Sequence, residues 1–526
     1  MDASILEASS KRSIPESFHP SYGTAGFRAK AHLLSSTVFR CGLLMGLRSL
    51  KTNKTTGICI TASHNPAPDN GVKLVEPTGE MLLQEYESLA DELANADTDA
   101  KLLEILKRTM VQENISTGQE NAQVLVAYDT RPSGLSLASD AIEGIECLGI
   151  PVKNLGVLTT PQLHWAVMRT NQGLDSSEEA YYNLLSESFR NLVGQEMGKT
   201  LHVDCANGVG GFQLRKLSDL LKNSGLNLVL HNTGDGVLNH LCGSDFIQKE
   251  RTLPESMGTL SHEDFACSID GDADRLVYFY RDSESPDNVV LLDGDKIAAL
   301  VATLLKDLVT KLPGDLSNST IGVVQTAYAN GSSTKYLTDK VNCEVTITPT
   351  GVKHLHKAAH EFDVGIYFEA NGHGTVLFKK SFIKSLKDVA SDSIAAQELL
   401  SINAVINEAV GDAISDILLV ETALKKQGMN LCEWASLYED LPSRQLKAEI
   451  KDRSVIVTTD AERRVAEPQN LQQRIDDLVA TYPGARSFVR PSGTEDIVRI
   501  YAEATSSADA DKLAEQVRQT VIDMLG

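Results

Sequence analysis

The sequence predicts an α/β protein of several domains, closed by a smaller α+β domain at its C-terminal end. Three observations carry that expectation. The chain has 526 residues, more than one hydrophobic core usually serves, so three or four domains are expected. Strand-like and helix-like stretches alternate through the first four hundred residues, as they do in α/β architectures. The last hundred residues change pattern, to strand-like runs followed by one long amphipathic helix.

In chain order the strand candidates are "GICITA" at 57–62, "VLVAYD" at 124–129, "LHVDCA" at 201–206, "FACSID" at 265–270, "IGVVQTA" at 321–327 and "VGIYFEA" at 364–370. Each is a short apolar run, and nearly all break into a turn rich in Gly, Asn, Asp or Ser. In open α/β sheets functional groups gather beyond the carboxyl ends of the strands, so the repetition predicts similar units sharing one cleft. The joints are softer. Residues 171–199 read as a polar helical crossing, 281–288 ("RDSESPDN") as a surface turn, and 381–450 as longer helical patterning. Beyond them, "VIVTTD" at 455–460 and "DIVRIYAEA" at 496–504 read as strands. A final helix at 507–525 spaces Leu513, Val517, Val521 and Leu525 by four. Domains are therefore expected at 1–175, 176–290, 291–415 and 416–526.

Composition narrows the function classes. With 49 Lys and Arg against 71 Asp and Glu, the net charge is −22, which argues against nucleic acid or an anionic membrane as partner. Anionic small substrates stay open, because a local group of arginines and backbone N–H groups outweighs the global sign. The eight cysteines are scattered without a C-x-x-C pair, neither a zinc pattern nor a disulfide scaffold. No basic leader followed by an apolar core is visible, and no apolar run approaches the roughly 20 residues that span a bilayer. A soluble, cytosolic protein is expected.

Four loops carry chemistry. In "ICITASHNPAPDNG" at 58–71, Ser63 and His64 stand together where prolines forbid helix and strand. Ser63 is no hydrolase elbow, since G-x-S-x-G is absent. It fits a phosphoryl carrier, which brings roughly −1.5 to −2 charges and so needs a cation nearby. In "SIDGDADRLVYFY", Asp270, Asp272 and Asp274 alternate, and in an extended chain that period puts three carboxylates on one side. They suit a hard divalent ion, Mg²⁺ first. An EF-hand fails, because position six is Arg275 and position twelve Arg281; a plain acidic turn is the ordinary alternative. In "SFVRPSGTEDIVRIYAEA", Arg490 and Arg499 bracket Ser492, Gly493 and Thr494, a cradle for a dianion or else a hairpin turn with surface arginines. In "VGIYFEANGHGTVLF", Glu369, Asn371 and His373 form a loop able to read a polyol's hydroxyls, though a plain Asn-Gly turn reads equally well. Arg28, after "YGTAG", and Arg131, in "AYDTRPSG", are ambiguous between surface and site.

Taken together, "YGTAGFR", "TASHNP", "DGDADR" and "RPSGTED" resemble the motifs of the α-D-phosphohexomutase superfamily, in order over almost the whole chain. Further matching runs are "TTPQLH", "VDCANGVG", "NHLCGSDF", "VVQTAYANGSS" and "TGVKHLH". The resemblance implies four domains around a central cleft, three related α/β units with mixed sheets and a mobile α+β domain of the TATA-binding-protein-like kind. It implies a phosphoserine at Ser63 and one Mg²⁺ held by that phosphate with Asp270, Asp272 and Asp274. His64 and Lys73, placed on one loop, are acid/base candidates, and Arg28 and Arg275 steady the transferring phosphate. Glu369, Asn371 and His373 hold the sugar; Arg490, Ser492, Gly493, Thr494 and Arg499 grip the other phosphate. Relatives acting on glucose or mannose phosphates have Glu-x-Ser-Gly-His where this chain has Glu369-Ala370-Asn371-Gly372-His373. The branch implied interconverts N-acetylglucosamine 6-phosphate and 1-phosphate through a 1,6-bisphosphate, primed by a hexose 1,6-bisphosphate, on the way to UDP-N-acetylglucosamine. A glucose or mannose phosphate mutase, a Mg²⁺-dependent phosphatase and a non-catalytic sugar-phosphate sensor are the rivals.

Overall fold

The computed structural model describes residues 1–195, 197–261, 263–282, 289–492 and 496–526. They form two compact units. The first comprises Met1–Asp293 with Asn371–Thr375 and Leu400–Lys426; the second comprises Gly294–Ala370, Val376–Leu399 and Gln427–Gly526.

The first unit contains two five-stranded sheets with one pairing pattern. In the first sheet the spatial order is Phe27–Lys30, Asp69–Val75, Thr55–Ile60, Gln123–Tyr128 and Val152–Val157. Its first two pairings are antiparallel and its last two parallel. The second sheet runs Val289–Leu292, Leu276–Arg281, Phe265–Ile269, Lys199–Asp204, Leu226–His231, again antiparallel twice and then parallel twice. Thr55–Ile60 is buried at every residue, as a strand covered by helices on both faces must be.

The second unit has a four-stranded sheet in the order Glu344–Thr348, Ile321–Thr326, Val364–Phe368, Gly374–Phe378, the last strand crossing into the first unit at its start. It also holds the closing α+β domain. There Ser443–Glu449, Ile497–Glu503 and Arg486–Pro491 pair antiparallel. Val498, Ile500 and Ala502 pack with Leu513, Val517 and Val521 of helix Ser507–Leu525, the stripe expected from the spacing by four. The opposite face of that sheet is covered too. Tyr501 is buried, its ring 5.1 Å from Phe488 and 5.7 Å from Tyr328.

The three α/β units with mixed sheets and the α+β domain are present, and each of the three larger sheets delivers one functional loop in the same way. The Ser63 loop joins Thr55–Ile60 to its neighbour Asp69–Val75, and the Asp270–Asp274 loop joins Phe265–Ile269 to Leu276–Arg281. The Glu369–His373 loop joins Val364–Phe368 to its neighbour Gly374–Phe378. Such short links between paired strands are open only to hairpins, since parallel partners need a dozen residues or more.

Several expectations change. Lys73 is on strand Asp69–Val75 and not on the loop with His64, because the Asn70-Gly71 pair opens a strand instead of making a turn. The stretch read as helical at 381–450 contains strand Ser443–Glu449 at its end. "VIVTTD" shortens to Val457–Thr459 after a 3₁₀ turn at Arg453–Val455. The boundary at 290/291 falls inside strand Val289–Leu292, and that at 415/416 inside helix Ala413–Gln427, nearly all of which belongs to the first unit. Residues 283–288 of the expected surface turn lie outside the described residues. Among the described residues no helix is long and apolar enough to cross a membrane.

Candidate active site

Ser63 is 1 % exposed and sits at φ 48°, in the left-handed region that non-glycine residues rarely adopt. Its loop is held by a buried guanidinium. Arg131 donates through Nη1 to the carbonyls of Pro66 and Asp69, and through Nη2 to those of Ser63 and Asn65, all at 2.7–3.0 Å. Asp129 in turn holds Arg131 Nε at 3.0 Å. From the second sheet's unit, Asn239 Nδ2 donates to the same Ser63 and Asn65 carbonyls at 2.8 and 3.0 Å. Arg131, ambiguous in the sequence, is thus the clamp of this loop.

The Ser63 hydroxyl donates to Asp272 Oδ2 at 3.1 Å. Asp270, Asp272 and Asp274 are all buried, with ligand oxygens within 4.8 Å of one another. They converge by a different route from the alternation expected. The loop is a tight turn with Ala273 at φ 60°, wrapped on Asp270 Oδ1, which accepts from the N–H groups of Asp274 and Arg275. Asp272 is fixed from helix Thr160–Asn171, whose Thr160 hydroxyl donates to Oδ2 at 2.6 Å and whose Thr160 N–H donates to its carbonyl. Lys73 Nζ bridges Asp272 Oδ2 at 2.8 Å and Asp274 Oδ2 at 2.6 Å. Burial pushes the Asp270 carboxyl well above the usual range, helped by Asp274 and Asp272. Burial acts on Asp272 and Asp274 the same way, but Lys73 and their other partners outweigh it and hold both below. Burial likewise opposes the Lys73 charge, and the two aspartates outweigh it, so Lys73 stays an ammonium.

One oxygen of each carboxylate, Asp270 Oδ2, Asp272 Oδ1 and Asp274 Oδ1, is buried with no hydrogen-bond partner among the described residues. Buried acceptors left over from an otherwise satisfied cluster are costly unless a cation takes them. Three hard oxygens at this spacing fit a divalent ion such as Mg²⁺.

Basic side chains stand near the serine as well. Arg28 Nη2 lies 3.4 Å from Ser63 Oγ. Arg275 Nη1 is 2.9 Å from Asp245 Oδ1, and His64 Nε2 is 3.9 Å from Asp245 Oδ2. Burial lowers the His64 pKa, and Arg275 and Arg28 lower it further, so the imidazole is neutral.

The sugar loop divides between the units: Glu369 belongs to the second, Asn371 and His373 to the first. Gly372 has φ 84°, and a Cβ there would lie 1.9 Å from the Leu276 carbonyl oxygen, so only glycine lets the loop close onto the strand after the aspartates. The Gly372 carbonyl accepts from Leu276 N–H. His373 Nδ1 is 2.7 Å from the Asp274 carbonyl, which only accepts, so Nδ1 donates; Nε2 is buried with no hydrogen-bond partner among the described residues. Asn371 Oδ1 accepts from His373 N–H at 2.9 Å.

In the second unit Arg490 and Arg499 are direct cross-strand partners, and Lys447 is the partner of Arg499 on its other side. Directly opposed residues share a face, so one row across the sheet carries three cations. Like charges so placed repel, and an anion bound across the row would relieve that repulsion. Arg490 Nη1 reaches both oxygens of Glu462. Ser492, 4 % exposed, donates its N–H to the Ile497 carbonyl. Gly493 and Thr494 lie outside the described residues.

Models of known families match in order: phosphoglucomutase/phosphomannomutase α/β/α domain I over 45–101 and 93–175, and phosphoacetylglucosamine mutase AMG1 domain II over 174–277. Phosphoacetylglucosamine mutase AMG1 domain III follows over 293–429, and the phosphoglucomutase/phosphomannomutase C-terminal domain over 448–520. The phosphoacetylglucosamine mutase of Arabidopsis thaliana is 47 % identical over 100 % of this chain and 99 % of its own. The chain belongs to the phosphoacetylglucosamine mutase family. A solved Aspergillus fumigatus N-acetylphosphoglucosamine mutase, in complex with GlcNAc-6P and magnesium, matches at a TM-score of 0.94 and 42 % identity, covering 100 % of this chain and 99 % of that one. A variant of the same fungal enzyme, in complex with glucose 1,6-bisphosphate, matches at 0.92 and 42 %, over 99 % and 98 %.

For this member of the phosphoacetylglucosamine mutase family, sequence reasoning missed five residues of the site. Thr160 had a signal, the Thr159/Gln162 capping box inside "TTPQLH". Asp245 and Asn239 stand in "NHLCGSDF", singled out as a whole but without roles. Lys447 was hidden in a segment read as helical, and Glu462 had no local signal.

Proposed function

We propose that the chain interconverts N-acetylglucosamine 6-phosphate and N-acetylglucosamine 1-phosphate through phosphorylated Ser63 and a bound 1,6-bisphosphate. The observation that carries this reading is the Ser63 hydroxyl set against Asp272 in a buried acidic cluster with three leftover oxygens. Among the described residues no histidine hydrogen-bonds the Ser63 hydroxyl as in a serine hydrolase, whereas a phosphoryl group there would be within reach of both the aspartate cluster and Arg28. Binding of GlcNAc-6P, magnesium and glucose 1,6-bisphosphate by the fungal relatives supports the same substrate class, metal and primer.

Asp270, Asp272, Asp274 and the phosphoserine would hold one Mg²⁺, which when bound neutralises charge on the phosphoryl oxygens. Phosphoryl transfer otherwise depends on positioning and electrostatics, so the protein's part is geometric. Arg28 and Arg275 steady the group in transit. The phosphoryl leaves Ser63 Oγ for sugar O1, whose proton must go to a base; the 6-phosphoryl then returns to Ser63. His64 and Lys73 are the acid/base candidates for these two proton transfers. The neutral imidazole has the lone pair a base needs and the ammonium the proton an acid needs, while burial and the nearby arginines weaken His64 as a base and the two aspartates weaken Lys73 as an acid. His373 Nε2, left without a partner among the described residues, is placed to hydrogen-bond a sugar hydroxyl, while the Asn371 amide and Glu369 complete the sugar contacts. Arg490, Arg499 and Lys447, with Ser492, Gly493 and Thr494, hold the phosphate that is not reacting.

The test is ³¹P NMR of N-acetylglucosamine 6-phosphate with the protein, Mg²⁺ and a trace of glucose 1,6-bisphosphate. A growing 1-phosphate resonance, absent in Ser63→Ala, is expected. Free phosphate growing in its place makes the protein a phosphatase, and turnover confined to glucose or mannose phosphates overturns the reading of the Asn371 loop.

A further inference from the structure

Two segments of the second unit that have been given no role in the chemistry above meet at Glu462, the carboxylate partner of Arg490. Glu462, in the turn after strand Val457–Thr459, receives Arg490 Nη1 at 3.1 and 3.0 Å on its two oxygens. Its Oε2 also accepts from the Thr350 N–H at 2.9 Å and the Thr350 hydroxyl at 2.6 Å, at the head of "TGVKHLH". The pair is largely shielded, with side chains 13 % and 21 % exposed. Glu462 closes a run of three left-handed residues, Asp460, Ala461 and Glu462, none of them glycine. A turn of that kind persists only where its contacts hold it. Meanwhile Arg499 and Lys447, in the same cation row, pair with no carboxylate among the described residues.

We infer that Glu462 is a positioning residue of the phosphate grip. Its carboxylate holds Arg490 in the pose that the substrate's phosphate takes over, so that binding exchanges one anion for another. A carboxylate presents two acceptor oxygens to a guanidinium much as a phosphate does, but it carries one charge where the phosphate carries nearly two. The exchange therefore favours a dianion and turns away unphosphorylated sugars and singly charged sugar acids. The specificity lies in the displacement of Glu462 as much as in the attraction of the row. This inference rests on Arg490 being a phosphate ligand.

The experiment measures KM and kcat for N-acetylglucosamine 6-phosphate, and competitive inhibition by sulfate, in the full-length enzyme and in Glu462→Gln, Arg490→Ala and the double variant. Glutamine still accepts from Thr350 and Arg490 through its amide oxygen but brings no charge. Glu462→Gln is expected to lower KM and the sulfate inhibition constant together by about three- to tenfold, without raising kcat, tenfold corresponding to about 1.4 kcal/mol. On the Arg490→Ala background the same change is expected to do nothing. Thr350→Val, which removes one donor to the carboxylate, is expected to move KM the same way by a smaller factor, and serves if Glu462→Gln folds poorly. If Arg490→Ala raises KM while Glu462→Gln leaves it unchanged or higher, the exchange is overturned and the grip stands. If Arg490→Ala leaves KM unchanged, the grip reading fails and the exchange fails with it.

Discussion

The Lys73 ammonium lies 2.6 Å from Asp274 Oδ2, with both side chains less than a tenth exposed. Strand Asp69–Val75 of one sheet thus supplies the counter-charge for the acidic loop of the next. Lys73→Met leaves buried carboxylates without their cation, a change that typically costs about 3–5 kcal/mol. The variant is expected to melt well below the parent in EDTA and to regain more of the loss on adding Mg²⁺ than the parent gains. Equal Mg²⁺ shifts in parent and variant would show that the ion and the lysine do not share these oxygens.

Arg131 touches no reacting atom, but it fixes four carbonyls of the serine loop. Small misplacement of a reacting group costs about a hundredfold in rate. Arg131→Met is therefore expected to reduce kcat by about that factor while KM moves little. Steady-state kinetics together with the stoichiometry of Ser63 phosphorylation check this, and a variant with normal kcat shows that the clamp does not position the serine.

Lys447 is the partner of Arg499 across the closing domain's sheet. If it completes the anion row, Lys447→Ala is expected to raise KM by about three- to tenfold, the weight of about 1 kcal/mol, with kcat unchanged. Higher ionic strength should shrink the gap, since an exposed charge is screened. A KM equal to the parent's at low salt counts against Lys447 as a ligand.

Asp416, in helix Ala413–Gln427, is fully buried, and neither of its oxygens has a hydrogen-bond partner among the described residues. Burial raises its pKa well above the ordinary value, and Asp412 one turn earlier adds to it. The folded state therefore binds this proton more tightly than the unfolded chain does. Its contribution is most favourable below the ordinary carboxylate range and is lost as pH rises from there towards the folded value. Asp416→Asn, which keeps the shape without a titrating proton, is expected to be the more stable protein at pH 8, by about 1–3 kcal/mol. The gap should close as pH falls towards 4. Denaturant midpoints across that range test it, and a pH-independent difference refutes it.

Ser63 and the three aspartates were legible because each loop's turn formers, charges and flanking apolar strands are neighbours in sequence. The route by which the aspartates converge was not. It depends on a left-handed Ala273, which alanine gives no reason to expect. Lys73 was misplaced because an Asn-Gly pair signals a turn locally, while here strand pairing with Phe27–Lys30 and Thr55–Ile60 decides the backbone. Arg131, Asn239 and Glu462 were opaque for a common reason. Each acts through partners tens to hundreds of residues away, and nothing in their own surroundings records those partners.

Three sheets each hang one active loop on the link between two paired strands, and this has a consequence for how such an enzyme changes over generations. The strands are anchored by ladders and buried side chains that do not read the link's sequence. On the proposed function, a mutation between Phe368 and Gly374 would retune which sugar is welcome while the scaffold beneath is inherited intact. A change in the serine or aspartate link would instead strike the reaction itself. Diversity should therefore collect in the third link and conservatism in the first two. A lineage built this way acquires new substrates far more readily than new chemistry.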